Sequence, residues 1–183
     1  MSSTSVPLLV RLENGLNWVS DRLGTFSALL FLLLLANVFY DVLARYLWND
    51  VSIALQELEW HLFAAMFLFG VPYTLRAGGH VRVDLIYERL SPNARAWIDF
   101  MGTMVFLFPF CLLVGWFGID FVKEAYELGE SSGDPGGLSQ RWIIKAAIPV
   151  SFAFMAMSGL GLLLNSVNTL LGHHKPIYHK TDL

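Results

Sequence analysis

Four long apolar segments dominate this chain and restrict it to a small set of folds. They lie at roughly Leu23–Tyr40, Leu55–Leu75, Trp97–Phe117 and Trp142–Leu164. Each has about the number of residues, roughly 20, that a helix needs to cross the hydrocarbon core of a bilayer. Backbone groups find no partners in hydrocarbon, so a crossing segment must be a helix or part of a closed barrel. Because the segments are continuous and lack the alternation of barrel strands, they predict four transmembrane helices.

The composition supports an integral membrane protein and excludes several other classes. Of the 183 residues, 55% are hydrophobic and 15% are charged, whereas a soluble domain has about 45–50% apolar and about 25% charged residues. The net charge of −3 offers no basic surface for nucleic acid. The single cysteine, Cys111, excludes a disulfide framework or a cysteine zinc cluster within one chain. We therefore expect a single all-α membrane domain over residues 1–183.

Capping and turn residues give the expected boundaries of the helices. The predicted spans are about 23–48, 53–76, 92–129 and 139–168, followed by a polar tail at 172–183. Ser52 and Ser91 are the predicted caps of the second and third spans. In residues 1–22 leucines recur at helical spacing, which predicts an amphipathic N-terminal helix at the membrane interface. A second, short interfacial helix is predicted between spans 2 and 3, ending near Leu90.

Lysine and arginine are distributed unequally between the two sides of the predicted bundle. The side with the N-terminal segment, the middle loop and the tail holds eight of these residues, and the opposite side holds four. Cytoplasmic loops carry the excess of positive charge in most membrane proteins. Both termini are therefore expected to lie in the cytoplasm.

The ionisable residues lie near the ends of the spans, and the span centres are apolar. A carrier or pump usually keeps a charge or a broken helix near the middle of the bilayer, so a transporter that works alone is disfavoured. The sequence shows no nucleophile–base pair, phosphate loop or metal-ligand spacing, so we expect no enzyme activity, metal or cofactor. The alternative class is a haem- or quinone-binding electron-transfer subunit. It would need paired axial ligands inside the bundle, and only His61 lies in a span.

Polar and aromatic residues at the span ends are the candidates for contacts with other subunits or with lipid. They are Asp41 and Arg45 in the first span, Glu57, Glu59 and Trp60 in the second, and His80, Arg82 and Asp84 in the middle loop. Asp41 and Arg45 have the spacing of a helix-surface ion pair. Glu57 and Glu59 point about 200° apart on a helix, so they cannot easily share one site.

An acidic ridge follows the third span and is a candidate docking surface. It consists of Asp120, Glu124, Glu127 and Glu130, most of which share one face of the predicted helix extension. The simpler interpretation is a solvated extension with no partner.

The middle loop, Arg76-Ala-Gly-Gly-His80-Val-Arg-Val-Asp84, is the most specific motif in the chain. It resembles the R-x-x-x-H-[VI]-x-[VI]-[DE] segment of the DctQ-like small permease subunit of TRAP (tripartite ATP-independent periplasmic) transporters. Three further pieces agree in the same order: Arg45-Tyr46, Glu57-Leu58, and Leu128–Ser132 with Asp134–Gly137. The resemblance covers about Arg45 to Pro149.

This resemblance implies one subunit of a three-part secondary transporter in the bacterial inner membrane. In that family a periplasmic binding protein (DctP-like) captures an organic solute, often a carboxylate. A large subunit (DctM-like) carries the solute inward by an elevator-like movement driven by a sodium gradient. The small subunit, with membrane lipids around it, is expected to enlarge the static scaffold and to bind neither sodium nor solute. C4-dicarboxylates, keto acids, sugar acids, aromatic acids and osmolytes such as ectoine all remain open as solutes.

Overall fold

The computed structural model describes residues 8–78, 87 and 89–173. Its helices are α1 (Leu8–Trp48), α2 (Ile53–Arg76), α3 (Pro92–Gly102), α4 (Phe108–Glu127) and α5 (Trp142–Leu170), and a π-helical turn (Thr103–Leu107) joins α3 to α4. With α3, the π-helical turn and α4 taken as one unit, four helical segments are long and apolar enough to cross a membrane. The predicted all-α fold with four spans is therefore confirmed for the described part of the chain.

The four spans give the bundle two distinct ends. The terminus end holds the start of α1, the end of α5 and the connection from α2 to α3. The loop end holds the short turn between α1 and α2 and the longer segment 128–141 between α4 and α5. Both predicted caps are present, because Ser52 Oγ accepts a hydrogen bond from the Leu55 amide at 3.4 Å and Ser91 Oγ from the Ala94 amide at 3.3 Å.

The N-terminal segment differs from its prediction. Helix α1 runs without a break from Leu8 to Trp48, so this segment forms the first turns of a long helix and not a separate one. Two of its polar side chains also face inward: Glu13 is 2% exposed and Ser20 is fully buried, whereas Leu12 is 51% exposed. The physical reason is that α5 presents amide side chains to Glu13, as described below. The short helix predicted before Leu90 lies largely outside the described residues, as does nearly all of the polar tail.

Helix α5 is the centre of the bundle, because it packs against α1, α2 and the α3–α4 unit. Its buried residues are mostly small or polar: Ala147, Ser151, Met155, Ser158, Gly159, Gly161, Asn165, Ser166, Asn168 and Thr169. Small side chains let helices approach closely in a membrane, and hydroxyl and amide groups bond across the contact. Large apolar side chains of the neighbouring α3–α4 unit face outward instead, as at Phe106 (74% exposed) and Trp116 (72% exposed).

Two glycines mark where the α3–α4 unit approaches α5 most closely. A Cβ added at Gly118 would lie 3.3 Å from Cδ of Pro149, and one added at Gly159 would lie 2.6 Å from Cδ2 of Leu107. Leu107 is the last residue of the π-helical turn and lies two residues before Pro109. Proline has no N–H for the carbonyl four residues earlier, so the helix widens there while Phe108 N bonds back to the Thr103 carbonyl.

Polar side chains join α1 to α5 at the terminus end, and we name this contact the polar seam. It consists of Glu13, Asn17 and Ser20 on α1 with Ser158, Gly161, Asn165 and Asn168 on α5. The Glu13 carboxylate accepts hydrogen bonds from Asn165 Nδ2 at 2.9 Å and Asn168 Nδ2 at 2.7 Å. The hydroxyl oxygens of Ser20 and Ser158 lie 2.7 Å apart. A buried carboxylate is costly unless donors surround it, so the two amides make this position tenable.

Replacing Glu13 with alanine should weaken the bundle. The change removes the acceptor for two buried amides, and a buried donor without its partner costs about 1–3 kcal/mol. We expect the free energy of unfolding to fall by about 2 kcal/mol or more, measured by tryptophan fluorescence during unfolding in detergent. Asn14→Ala is the matched control, since Asn14 is exposed and exposed substitutions stay within about 0.5 kcal/mol. Equal stability of the two variants would contradict the assigned role of the seam.

Candidate functional site

The loop end is organised around one carboxylate, Glu57. Helix α2 begins at Ile53, so Glu57 lies one turn inside it, and its side chain is turned toward the segment that leads into α5. Its Oε1 accepts hydrogen bonds from Ser132 Oγ at 2.5 Å and from Arg141 Nη2 at 3.0 Å. Its Oε2 accepts a hydrogen bond from the backbone N–H of Leu138 at 2.6 Å. We name these four residues the Glu57 cluster; Glu57 itself is 6% exposed.

Segment 128–141 has a defined fold although it contains no helix. Ser132 N donates to the Leu138 carbonyl at 2.9 Å, and Gly137 N donates to the Asp134 carbonyl at 3.0 Å. A Cβ at Gly137 would lie 2.8 Å from Oε2 of Glu57, so only glycine lets the backbone approach the carboxylate this closely. The Ser-Gly-Asp-Pro-Gly-Gly composition is therefore explained by a tight turn wrapped around a buried acceptor.

Two basic side chains at the start of α5 form ion pairs with carboxylates of the same chain. The Arg141 guanidinium bonds Glu57 and lies 5.7 Å from the centre of the Trp60 ring. Lys145 forms an ion pair with Glu130, and its Nζ lies 3.9 Å from the centre of the Phe121 ring. A cation over an aromatic face is attracted to it, more strongly where water is excluded. The start of α5 is thus fixed to both α2 and α4.

The predicted ion pair of the first span is present. Arg45 Nη2 lies 2.6 Å from Oδ2 of Asp41. Asp41 is buried, and its Oδ1 has no hydrogen-bond partner among the described residues. One turn earlier, Asn37 Nδ2 donates to the Leu55 carbonyl at 2.9 Å. These contacts hold the end of α1 beside the start of α2.

The remaining candidates of the second span are placed as follows. Glu59 is half-buried, and it does not join the Glu57 cluster, as the helix geometry predicted. His61 Nδ1 lies 2.6 Å from the Glu57 carbonyl, so the ring donates there, and the ring stacks on Trp60 with centroids 4.0 Å apart. The described residues hold no group of three or more His, Cys, Asp or Glu side chains suited to a metal ion.

The acidic ridge is only partly available as a surface. Asp120, Glu124 and Glu127 are exposed on α4, with Lys123 Nζ 4.0 Å from Asp120. Glu130 is half-buried and paired with Lys145, so it belongs to the interior of the loop end and not to the open ridge. Three carboxylates therefore remain as a candidate docking surface.

The middle-loop candidates His80, Arg82 and Asp84 lie outside the described residues, and their interfacial role stays a prediction. Beside them the structure shows a contact that the sequence analysis missed. Tyr87 donates its hydroxyl to Asp99 Oδ2 at 2.7 Å, and Arg95 lies 5.5 Å from the centre of the Tyr87 ring. This contact ties the end of the connection to α3.

Glu57→Gln should loosen segment 128–141 while leaving the helices intact. Glutamine keeps one acceptor but turns an N–H₂ group toward the Leu138 N–H, the Arg141 guanidinium or the Ser132 hydroxyl, so one hydrogen bond is lost. We expect amide hydrogen exchange in residues 128–141 to become several-fold faster, measured by mass spectrometry. Glu59→Gln is the matched control and should leave these exchange rates unchanged. Unaltered exchange in Glu57→Gln would show that the cluster does not order the segment.

Comparison with known proteins agrees with the arrangement of helices and loops. A family profile described as the DctQ component of tripartite ATP-independent periplasmic transporters matches residues 34–169. The C4-dicarboxylate TRAP transporter small permease protein DctQ of Rhodobacter capsulatus is 30% identical over 120 residues, which cover 65% of this chain and 52% of that protein. A protein of Haemophilus influenzae, assigned by its name to the TRAP transporter small permease proteins, is 27% identical over 114 residues, 62% of this chain and 71% of that protein.

The chain thus spans about half the length of the Rhodobacter capsulatus relative. The family match, by contrast, covers most of the chain, from the middle of α1 to the end of α5, and includes every residue of the Glu57 cluster. This chain therefore belongs to the DctQ family of tripartite ATP-independent periplasmic transporter components.

Proposed function

We propose that this protein is the non-catalytic small membrane subunit of a TRAP transporter and that it braces the large subunit during solute uptake. The proposal rests on the observation that buried polar groups of this protein bond to one another within the chain. Glu13, Ser20 and Glu57 each bond to another part of the same chain. Such groups serve packing between helices, whereas a carrier keeps polar groups facing a cargo path at the middle of the membrane.

The outer surface of the bundle suits a part that stays still in lipid. Helix α1 has 41 residues, which at about 1.5 Å per residue gives a length of about 60 Å, roughly twice the hydrocarbon core. Four of the five exposed tryptophans lie near the ends of the spans, at Trp18, Trp48, Trp60 and Trp97. Such rings prefer the headgroup level and oppose tilting and vertical drift. We propose that this anchoring holds the scaffold while the large subunit moves solute.

The partners and location follow from the same proposal. The large subunit would be DctM-like, the soluble component would be a DctP-like periplasmic binding protein, and uptake would be driven by sodium. In the bacterial inner membrane, with both termini cytoplasmic, the loop end would face the periplasm. The solute stays undefined: the Rhodobacter capsulatus relative is named for C4-dicarboxylates, but the proposal places the solute pocket on other chains.

Reconstitution tests the bracing role. We expect proteoliposomes with the large subunit, the binding protein and a sodium gradient to take up solute at only a small fraction of the full rate when this chain is left out. The reason is that a scaffold free to tilt in lipid gives the moving part nothing fixed to slide against. Radiolabelled solute uptake measures the rate. Liposomes with this chain alone are the control and should move nothing.

Two outcomes would contradict the proposal. Full uptake by the large subunit without this chain would remove the need for a brace. Uptake of solute or ions by this chain alone would show that it carries cargo itself.

A second role is favoured by the exposure of Asp120, Glu124 and Glu127 at the loop end. We propose that these carboxylates steer the binding protein onto the transporter through basic residues on its surface. Charges of opposite sign on two partners raise the rate of encounter more than they raise affinity. The surrounding solvent screens this attraction as salt is added.

Charge reversal tests the docking role. Glu124→Lys with Glu127→Lys should lower the association rate of the binding protein at low salt, measured by interferometry on the reconstituted transporter. The difference from the unmodified chain should shrink as ionic strength approaches about 0.15 M, where the screening length is about 8 Å. Asp50→Lys, on the exposed turn between α1 and α2, is the matched control. An unchanged association rate at low salt would leave the ridge as a merely solvated helix extension.

A further inference from the structure

An open groove of about 540 Å³ runs between α2 and α5 from the loop end. Its walls are mostly apolar, with Leu58, Leu62 and Phe69 from α2 facing Ile144, Ala147 and Val150 from α5. At its mouth lie three polar residues, His61, Ser139 and Gln140. Among the residues that the structure describes, no Asp, Glu, Lys or Arg side chain lines it. None of the contacts described above uses this space.

The length of the groove matches one leaflet of a bilayer. From residue 58 to residue 69 α2 advances by eleven steps of about 1.5 Å, or about 16 Å. The hydrocarbon core is about 30 Å thick, so the groove reaches from one membrane surface to about mid-depth. A crossing helix of a partner subunit would need a contact surface along the whole depth. An acyl chain that belongs to one leaflet needs only half of it.

Like a phospholipid, the groove is polar at its outer end and apolar along the part that lies at membrane depth. The apolar walls lie at membrane depth, where lipid is the solvent that reaches an open groove. The hydroxyl of Ser139 and the amide of Gln140 are donors that suit a phosphate group without needing a charge. His61 donates through Nδ1 to the Glu57 carbonyl, so Nε2 is the ring nitrogen left to accept from a headgroup N–H or O–H. The absence of a carboxylate from the lining avoids repulsion of the phosphate.

We propose that this groove binds one phospholipid from the leaflet at the loop end. Its acyl chain lies between α2 and α5, and its phosphate lies at Ser139 and Gln140. The Glu57 cluster sets the position of the mouth, because it holds the Leu138 amide directly before Ser139. The proposal does not depend on the transport role, since it concerns contacts that this chain makes by itself.

Photochemical labelling tests the lipid site. The full chain is placed in liposomes that contain phosphatidylethanolamine with a diazirine near the middle of one acyl chain, and the labelled peptides are identified by mass spectrometry. We expect the label to concentrate on residues 58–69 and 143–150. Ala65→Phe fills the groove from its α2 wall and should reduce labelling there several-fold, because the added ring takes the space of the acyl chain. Ala36→Phe on the exposed side of α1 is the matched control and should leave labelling unchanged.

A second variant keeps the test decisive if Ala65→Phe fails to fold. Ser139→Ala with Gln140→Ala changes only the mouth of the groove, where both residues are exposed, and should also reduce labelling. Label spread evenly over the lipid-facing residues of α1 and α4 would overturn the proposal. So would loss of the label when the chain is assembled with the large subunit, because the groove would then be filled by a protein partner.

Discussion

The structure depends on the fact that lipid, unlike water, does not drive apolar helices together. A leucine gains little by leaving hydrocarbon for another helix, so association in a membrane relies on close packing and on hydrogen bonds between helices. Helix α5 follows this rule along its whole length. Its buried positions are alanine, serine, glycine, asparagine and threonine, with Met155 as the one large apolar residue, and most bulky rings and leucines of the other helices point outward. The interior of this protein is therefore more polar than its membrane-facing surface.

This inversion explains which features the sequence predicted and which it did not. The four spans, the caps at Ser52 and Ser91 and the Asp41–Arg45 pair depend on local composition and spacing, and all were predicted. The prediction of a separate N-terminal helix at the membrane interface was wrong, because this segment continues into the first span and packs against α5. In α1, Glu13 instead meets donors that lie more than 150 residues away in sequence. A visible clue was present in α5, where Asn165 and Asn168 lie one turn apart near the end of a mostly apolar helix.

The candidate site was predicted only in part for a similar reason. The sequence identified Glu57 as a residue that needs a partner, but its partners Ser132, Leu138 and Arg141 are joined to it only by the folding of the chain. One of them is a backbone amide, which no side-chain pattern can reveal. For the acidic ridge, the sequence predicted one surface residue too many. Glu130 has the right charge and spacing for the ridge, but segment 128–141 brings it into an ion pair with Lys145, where it is half-buried.

The two polar contacts together fix α5 near both of its ends, and the proposed bracing role relies on this arrangement. The polar seam holds α5 to α1 at Asn168, and the Glu57 cluster holds α5 to α2 at Arg141. Those positions are 27 residues apart, or about 40 Å along the helix axis. A helix fixed at one point can rock about that point, whereas a helix fixed at two distant points can tilt only if one contact breaks. Because each contact includes a buried carboxylate that would lose its donors, breaking either one is costly. The polar groups at both ends of α5, with small residues between them, thus fix this helix to α1 at the terminus end and to α2 at the loop end.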